Sequence, residues 1–205
     1  MATIINASTS AGLIQTADTS GTLQLQSNGV TQQTIDSTGA YGQLKSGTAQ
    51  ASTSGTSIDF TGIPSWVKRI TVIYQAVSTN AAGASPLLVQ IGSGSITSTG
   101  YVSYSGVYES TNTSVSSSST VGFVISGANG NSSTFTGHQV LTLISGNIWV
   151  SSHNSGGLDG SSVAIIRNGG GYSPNLSGTL DRVRITTVNG TDTFDAGSIN
   201  ILYEG

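Results

Sequence analysis

Two histidines, nine carboxylates and no cysteine are the charged or thiol groups from which this chain could build an active site. Nucleophilic catalysis needs a nucleophile, a base beside it and a third group to orient the base. His138 lies within Phe135–Ile144, an apolar stretch that suits a structural histidine, and no Gly-x-Ser-x-Gly elbow occurs. His153 follows Trp149 and Ser151 in turn-rich sequence, which predicts an exposed side chain. Glycosidic cleavage needs two carboxylates held on opposite sides of a sugar. Asp192 and Asp195 share one loop, where acids commonly form turns, while Asp181 and Glu204 belong to terminal strands. No pair stands out, so the expectation is no catalytic residue and no enzyme. Asn189, Asp192 and Asp195 could offer oxygens to calcium, but their spacing does not match an EF-hand loop. No metal and no cofactor is expected. Gly156-Gly157 and Gly169-Gly170-Gly171 lack the Lys and helix of a phosphate cradle and read as loops. Sugar binding is harder to dismiss, because aromatic faces stack on pyranose rings. Trp149, Tyr172 and the cluster Tyr101, Tyr104, Tyr108 qualify by type, although Trp149 equally suits a core. The candidate ligand face is Trp149, His153 and Tyr172.

The elements that must position these residues are strands. The chain has 205 residues, of which 62 are Ser or Thr and 28 are Gly. Only 7% are charged, where soluble domains carry about 25%. Six Lys and Arg spread over the chain cannot supply the clustered cations of a nucleic-acid binder. No apolar run approaches the roughly 20 residues that span a bilayer, so no membrane insertion is expected. Few Lys, Glu, Ala or Leu, many Val, Ile and Thr, and no i, i+3, i+4 stripe give an all-β class.

Composition changes near residue 50. Large apolar residues number 10 in residues 1–50 and 48 in residues 51–205. The first fifty residues therefore cannot close a core alone. They still carry strand signals: Thr22 to Gln26 alternates, Ser27-Asn28-Gly29 reads as a hairpin turn, and Val30 to Ile35 follows. A lone hairpin is marginal in water, so Leu23, Leu25, Val30 and Ile35 call for copies of themselves or a host surface. Ile4-Ile5 and Leu13-Ile14 are shaped like anchoring points of an extended arm. Residues 1–50 are thus expected to be an extended, hairpin-containing segment for attachment and oligomerisation. Residues 51–205 are expected to form an antiparallel, jelly-roll-like β-sandwich of about ten short strands. Val67 to Val77 places Ile70, Val72, Tyr74 and Ala76 on one face, and Ser110 to Thr120 reads as a loop.

The last two strands suggest a register. If Asn189 through Gly197 is their loop, Ile185 pairs with Ile201, Val183 with Tyr203, and Arg182 with Glu204.

Two stretches resemble structural proteins of tailed bacteriophages, of the fibre and virion-decoration kind. The first runs from Thr16 to Gly29 and on through Thr34-Ile35-Asp36. The second joins residues 54–72, SGTSIDFTGIPSWVKRITV, with residues 176–204, LSGTLDRVRITTVNGTDTFDAGSINILYE. The resemblance covers about half the chain and carries no catalytic motif. It implies a component of the phage particle surface, homotrimeric, contacting other capsid or tail proteins: a short head fibre, a capsid decoration or a tail-fibre part. Adhesion to a host-surface glycan would be compatible with it. The alternative is a carbohydrate-binding, lectin-like receptor-recognition module, with a depolymerase more distant. From Ile70 to Ile166 there is no Lys or Arg, which leaves trypsin-like proteases nothing to cut and suits either exposed role.

Overall fold

The computed structural model describes residues 23–36, 39–40, 44–80, 85–109, 114–125, 133–159 and 162–205. Among these residues there are strands and turns but no helix. The chain divides into two units, one ending at Gln43 and the other beginning at Leu44.

In the first unit, β1 (Leu23–Ser27) and β2 (Val30–Asp36) form an antiparallel hairpin, and β3 (Gly39–Ala40) adds to β2. Asn28 and Gly29 both have positive φ, 51° and 74°. That is the primed turn whose twist matches the strands it joins, as the Asn-Gly dipeptide predicts. Val30 pairs with Ser27, and Leu23 faces Ile35 across the hairpin. Leu23 and Leu25 are still 40% and 41% exposed. Ile4, Ile5, Leu13 and Ile14 lie outside the described residues.

The second unit is a sandwich of two antiparallel sheets. Its strands are β4 (Leu44–Ser46), β5 (Gln50–Ala51), β6 (Ser57–Thr61), β7 (Arg69–Thr79), β8 (Leu87–Ser93), β9 (Ser95–Ile96) and β10 (Val102–Glu109). They continue with β11 (Ser114–Ser119), β12 (Phe123–Val124), β13 (Phe135–Ser145), β14 (Ile148–Leu158), β15 (Ala164–Tyr172), β16 (Arg182–Thr187) and β17 (Phe194–Glu204). The large sheet runs β11-β10-β15-β14-β13-β7-β17-β4, with β5 also on β17. The small sheet runs β12-β8-β16-β6, with β9 on β8. The large sheet thus takes in residues 44–51, on the N-terminal side of the step in composition.

Alternation explains the core. Rows of apolar side chains cross each sheet: Phe60–Val183–Ile91 and Ile58–Ile185–Val89 in the small one, Tyr203–Ile70–Leu141 in the large one. All of these side chains are buried, and all but Val89 and Ile91, which lie in the continuously buried β8, point from strands with exposed or half-buried residues between them. A fully buried aliphatic or aromatic side chain contributes about 1.5–3 kcal/mol. In β7 the alternation holds through Ile70, Val72 and Tyr74, then breaks. Ala76 has φ 49° and is exposed, a bulge against β17 that moves Val77 into the core in its place.

The structure corrects several expectations. β16 and β17 are not neighbours: one sits between β8 and β6, the other between β7 and the β4/β5 edge. Val183, Ile185, Ile201 and Tyr203 are buried as expected, but they reach one core from opposite sheets. Arg182 binds Asp181 at 2.7 Å, and Glu204 binds Arg69, its neighbour on β7, at 3.1 Å. Alternation tells which phase points inward, and both sheets present that phase to the same core. The segment expected to be a loop at 110–120 contains β11, an edge strand whose partners are Ser103 to Tyr108. Its serines have no apolar period to betray it. Gly156-Gly157 and Gly169-Gly170-Gly171 are strand residues, not loops. A Cβ on Gly171 would lie 2.2 Å from the Val102 carbonyl oxygen, and one on Gly157 would lie 1.8 Å from that of Thr134. Close backbone approach, not turning, requires Gly157, Gly169, Gly170 and Gly171, whereas Gly156 has room for a Cβ.

Candidate functional site

Two places gather polar or aromatic side chains beyond what packing needs. One is inside the large sheet, the other on its outer face.

The inward phase of β14 reads Trp149, Ser151, His153, Ser155, and that of β15 includes Ile165 and Arg167. Ser103 and Ser105 of β10, Gln139 of β13 and Tyr74 of β7 also point inward, and all are buried. Trp149, 2% exposed, sits in the apolar core, its backbone N–H donating to Ser173 Oγ at 3.0 Å. His153 is 5% exposed, so the expected exposure is wrong. Serines and glycines continue the strand past Trp149 to Leu158, and that continuation carries His153 inside. The candidate face of Trp149, His153 and Tyr172 therefore does not assemble. Only Tyr172, half exposed, reaches the surface.

Ser105 Oγ lies 3.1 Å from His153 Nε2, the spacing of a nucleophile and its base. The protons argue otherwise. Ser105 donates its only hydroxyl proton to the Ile125 carbonyl at 3.1 Å, so Nε2 of His153 must be the donor to Ser105. An Nε2 that carries the proton cannot accept one, and His153 Nδ1 has no hydrogen-bond partner among the described residues. Burial pushes the His153 pKa down to about 4, and the Arg167 cation adds to the effect, so the ring is neutral at pH 7. The pair is a polar tie inside the sandwich.

Arg167, fully buried, places its guanidinium 4.2 Å from the centroid of the Phe135 ring. Burial pulls its pKa to about 10, opposed by Tyr74, Asp159 and Glu109, so it stays cationic at pH 7. Burial raises the Tyr74 phenol well above the usual tyrosine range. Gln139 donates to Ser151 Oγ at 2.6 Å, and Val124 N–H donates to Ser103 Oγ at 2.9 Å. Arg167 follows Ile165 by two residues, which is the one sequence signal that it points inward.

On the outer face the alternate residues emerge. Tyr104, Tyr108 and Tyr172 are 62%, 56% and 50% exposed, whereas Tyr101 is buried, its hydroxyl held by the backbone of Ile91 and Thr97. Tyr104 lies opposite Gly170, Tyr108 opposite Ile166, and Tyr172 opposite both Val102 and Val150. Asn168 and Asn154 face each other across β15 and β14, and exposed His138 faces Asn154 from β13. Beside His138 the same face hollows to about 500 Å³, lined by Arg69, Thr71, Ile73 and Val140 among others. A second hollow of about 520 Å³ lies at the β4/β5 edge. The carboxylate on its wall, Asp59, is committed to Arg184 through two 2.7 Å bonds.

The acids of the 189–195 region are turn and strand groups. Asn189 Oδ1 accepts from Thr187, Thr191 and Asp192, Asn189 Nδ2 donates to Asp192, and Asp195 accepts from Ser78. Among the described residues no three His, Asp or Glu side chains gather as a metal site would require.

No protein-family model, curated protein or solved structure matches this chain.

Proposed function

We propose that this chain is a structural protein of a tailed-bacteriophage particle surface, a short head fibre, capsid decoration or tail-fibre component. The N-terminal segment, which ends at Gln43 because residues 44–51 belong to the sandwich, would hold it to capsid or tail proteins and to two sister copies, leaving the sandwich exposed on the particle. The observation that carries this reading is the β1-β2-β3 sheet, whose Leu23 and Leu25 stay two-fifths exposed. Three strands of this size without a covered apolar face are not independently stable. Three copies around an axis, or a capsid surface, would cover it. The sequence resemblance and the hydroxyl-rich, charge-poor sandwich support the same reading. Labelling intact particles with an antibody against the sandwich tests it: regular decoration of heads or tails is expected, and unlabelled particles would overturn it.

A carbohydrate-binding module is the second reading. It is favoured by the exposed tyrosines of β10 and β15, which no packing role accounts for.

A further inference from the structure

We infer that the outer face of β10, β15 and β14 is a platform for an uncharged polysaccharide chain, with Tyr104, Tyr108 and Tyr172 as stacking surfaces and Asn154 and Asn168 as hydrogen-bonding groups. This deepens the carbohydrate-binding reading by giving it a place and a ligand class, and it does not depend on where on a particle the protein stands.

Scattered exposed aromatics are ordinary, but a contiguous set marks a contact surface. Here three tyrosines share the outward phase of two adjacent strands, each at least half exposed. Glycines clear the ground between them. Gly170 lies opposite Tyr104, so one side of that ring has no side-chain neighbour across the strand pair. Tyr108 leans back over Gly106, its ring atoms 3.5–3.8 Å from where a Cβ would stand there. Tyr108 is 56% exposed in this position, which leaves ring surface for a pyranose to stack on.

Charge selects the partner. On β10, β11, β14 and β15 the charged residues are Glu109 and Arg167, and both take the inward phase. The outward phase offers an anionic polymer no cation and a basic one no carboxylate. Further along the same sheet, on β7 and β17, Arg69 and Glu204 neutralise each other at 3.1 Å. A protein partner fits less well. It would have to bury Asn154, Asn168 and Ser152 with every amide and hydroxyl matched, because each polar group buried without a partner weakens binding. A sugar brings both halves of what this face displays, an apolar C–H face for the rings and a rim of hydroxyls for the amides. The polar row continues from Asn168 through Asn154 to His138, across strands spaced about 4.8 Å apart, and ends at the hollow by Ile73. An extended chain lying across the strands would follow it.

The test uses the full-length protein on an array of neutral glucans, mannans and galactans, with alginate and heparin as charged comparisons. The best neutral oligosaccharide is then titrated calorimetrically at low and high salt. Binding to a neutral glycan is expected, with an affinity that salt does not change. Tyr104→Ala and Tyr172→Ala should each weaken it about tenfold or more at unchanged melting temperature, with Asn168→Ala a smaller loss. Four results would each overturn the inference: no neutral glycan bound, binding indifferent to the tyrosine variants, binding confined to the charged glycans, or tyrosine variants that change the oligomer size and so assign the face to a second copy. None of them bears on particle labelling, so this inference and the virion reading can fail separately.

Discussion

His153 donates a hydrogen bond to Ser105 inside the sandwich, at 3.1 Å, and its Nδ1 finds no partner among the described residues. A neutral histidine so buried makes the fold sensitive to acid. Its folded pKa, about 4, lies below the ordinary 6.5, so the unfolded chain takes up the proton first as pH falls. Stability from this group is intact above about pH 6.5, falls as pH drops towards 4, and then levels, a loss on the order of 3 kcal/mol. Denaturant midpoints of wild type and His153→Gln, measured from pH 7 to pH 4, should converge as the medium becomes acid. Parallel curves would refute the assignment.

Gly171→Ala should destabilise far more than Gly190→Ala. The first drives a methyl to 2.2 Å from the Val102 carbonyl, between two paired backbones that cannot both move. Overpacking of this kind costs about 1–3 kcal/mol or more. Gly190 has φ 69° and open space around it, so its substitution costs only the left-handed backbone, about 1 kcal/mol. Melting temperatures of the two variants decide the order.

Ile201→Ala should cost about 2–5 kcal/mol, because Ile201 is 2% exposed and belongs to the central cluster. Glu204→Ala should cost at most about 1 kcal/mol, since its bond to Arg69 is half in water. Chemical denaturation of the two variants gives both values. A Glu204→Ala loss as large as that of Ile201→Ala would mean that the edge pairing of β17 matters more than its packing.

Leu23→Asp combined with Leu25→Asp should leave the melting of the sandwich unchanged while reducing the proposed trimer to monomers. Light scattering beside a thermal melt reads both at once. A wild-type monomer would remove the basis for trimerisation through this hairpin.

What could be read from the sequence was phase. Ile70, Val72, Ile185 and Ile201 point inward as their alternation requires, and Asn28-Gly29 turns as that dipeptide should. Pairing was not legible, because an inward phase looks the same whether a strand's partner lies beside it or across the core. That is how β16 and β17 came to resemble a hairpin. Composition hid β11, which is nearly all serine, and the second half of β15, where three glycines that serve close packing precede Tyr172. The tyrosine cluster was visible as residue types, but only the strand register separates buried Tyr101 from exposed Tyr104 and Tyr108. Arg167 stayed hidden because a lone cation in a strand normally faces water.

The place of β17 carries a consequence for how the protein is made. It lies between β7 and the β4/β5 edge, so residues 44–51 have no sheet to join until residues 194–204 have left the ribosome. Pairings this distant along the chain form slowly, since the intervening loop must be closed before any contact rewards it. Through most of synthesis the N-terminal hairpin therefore hangs from an unfinished sheet. Residues 44–51, which join that hairpin to the sandwich, are the last part of the large sheet to find their place. The sandwich is thereby closed by the final residues to be made.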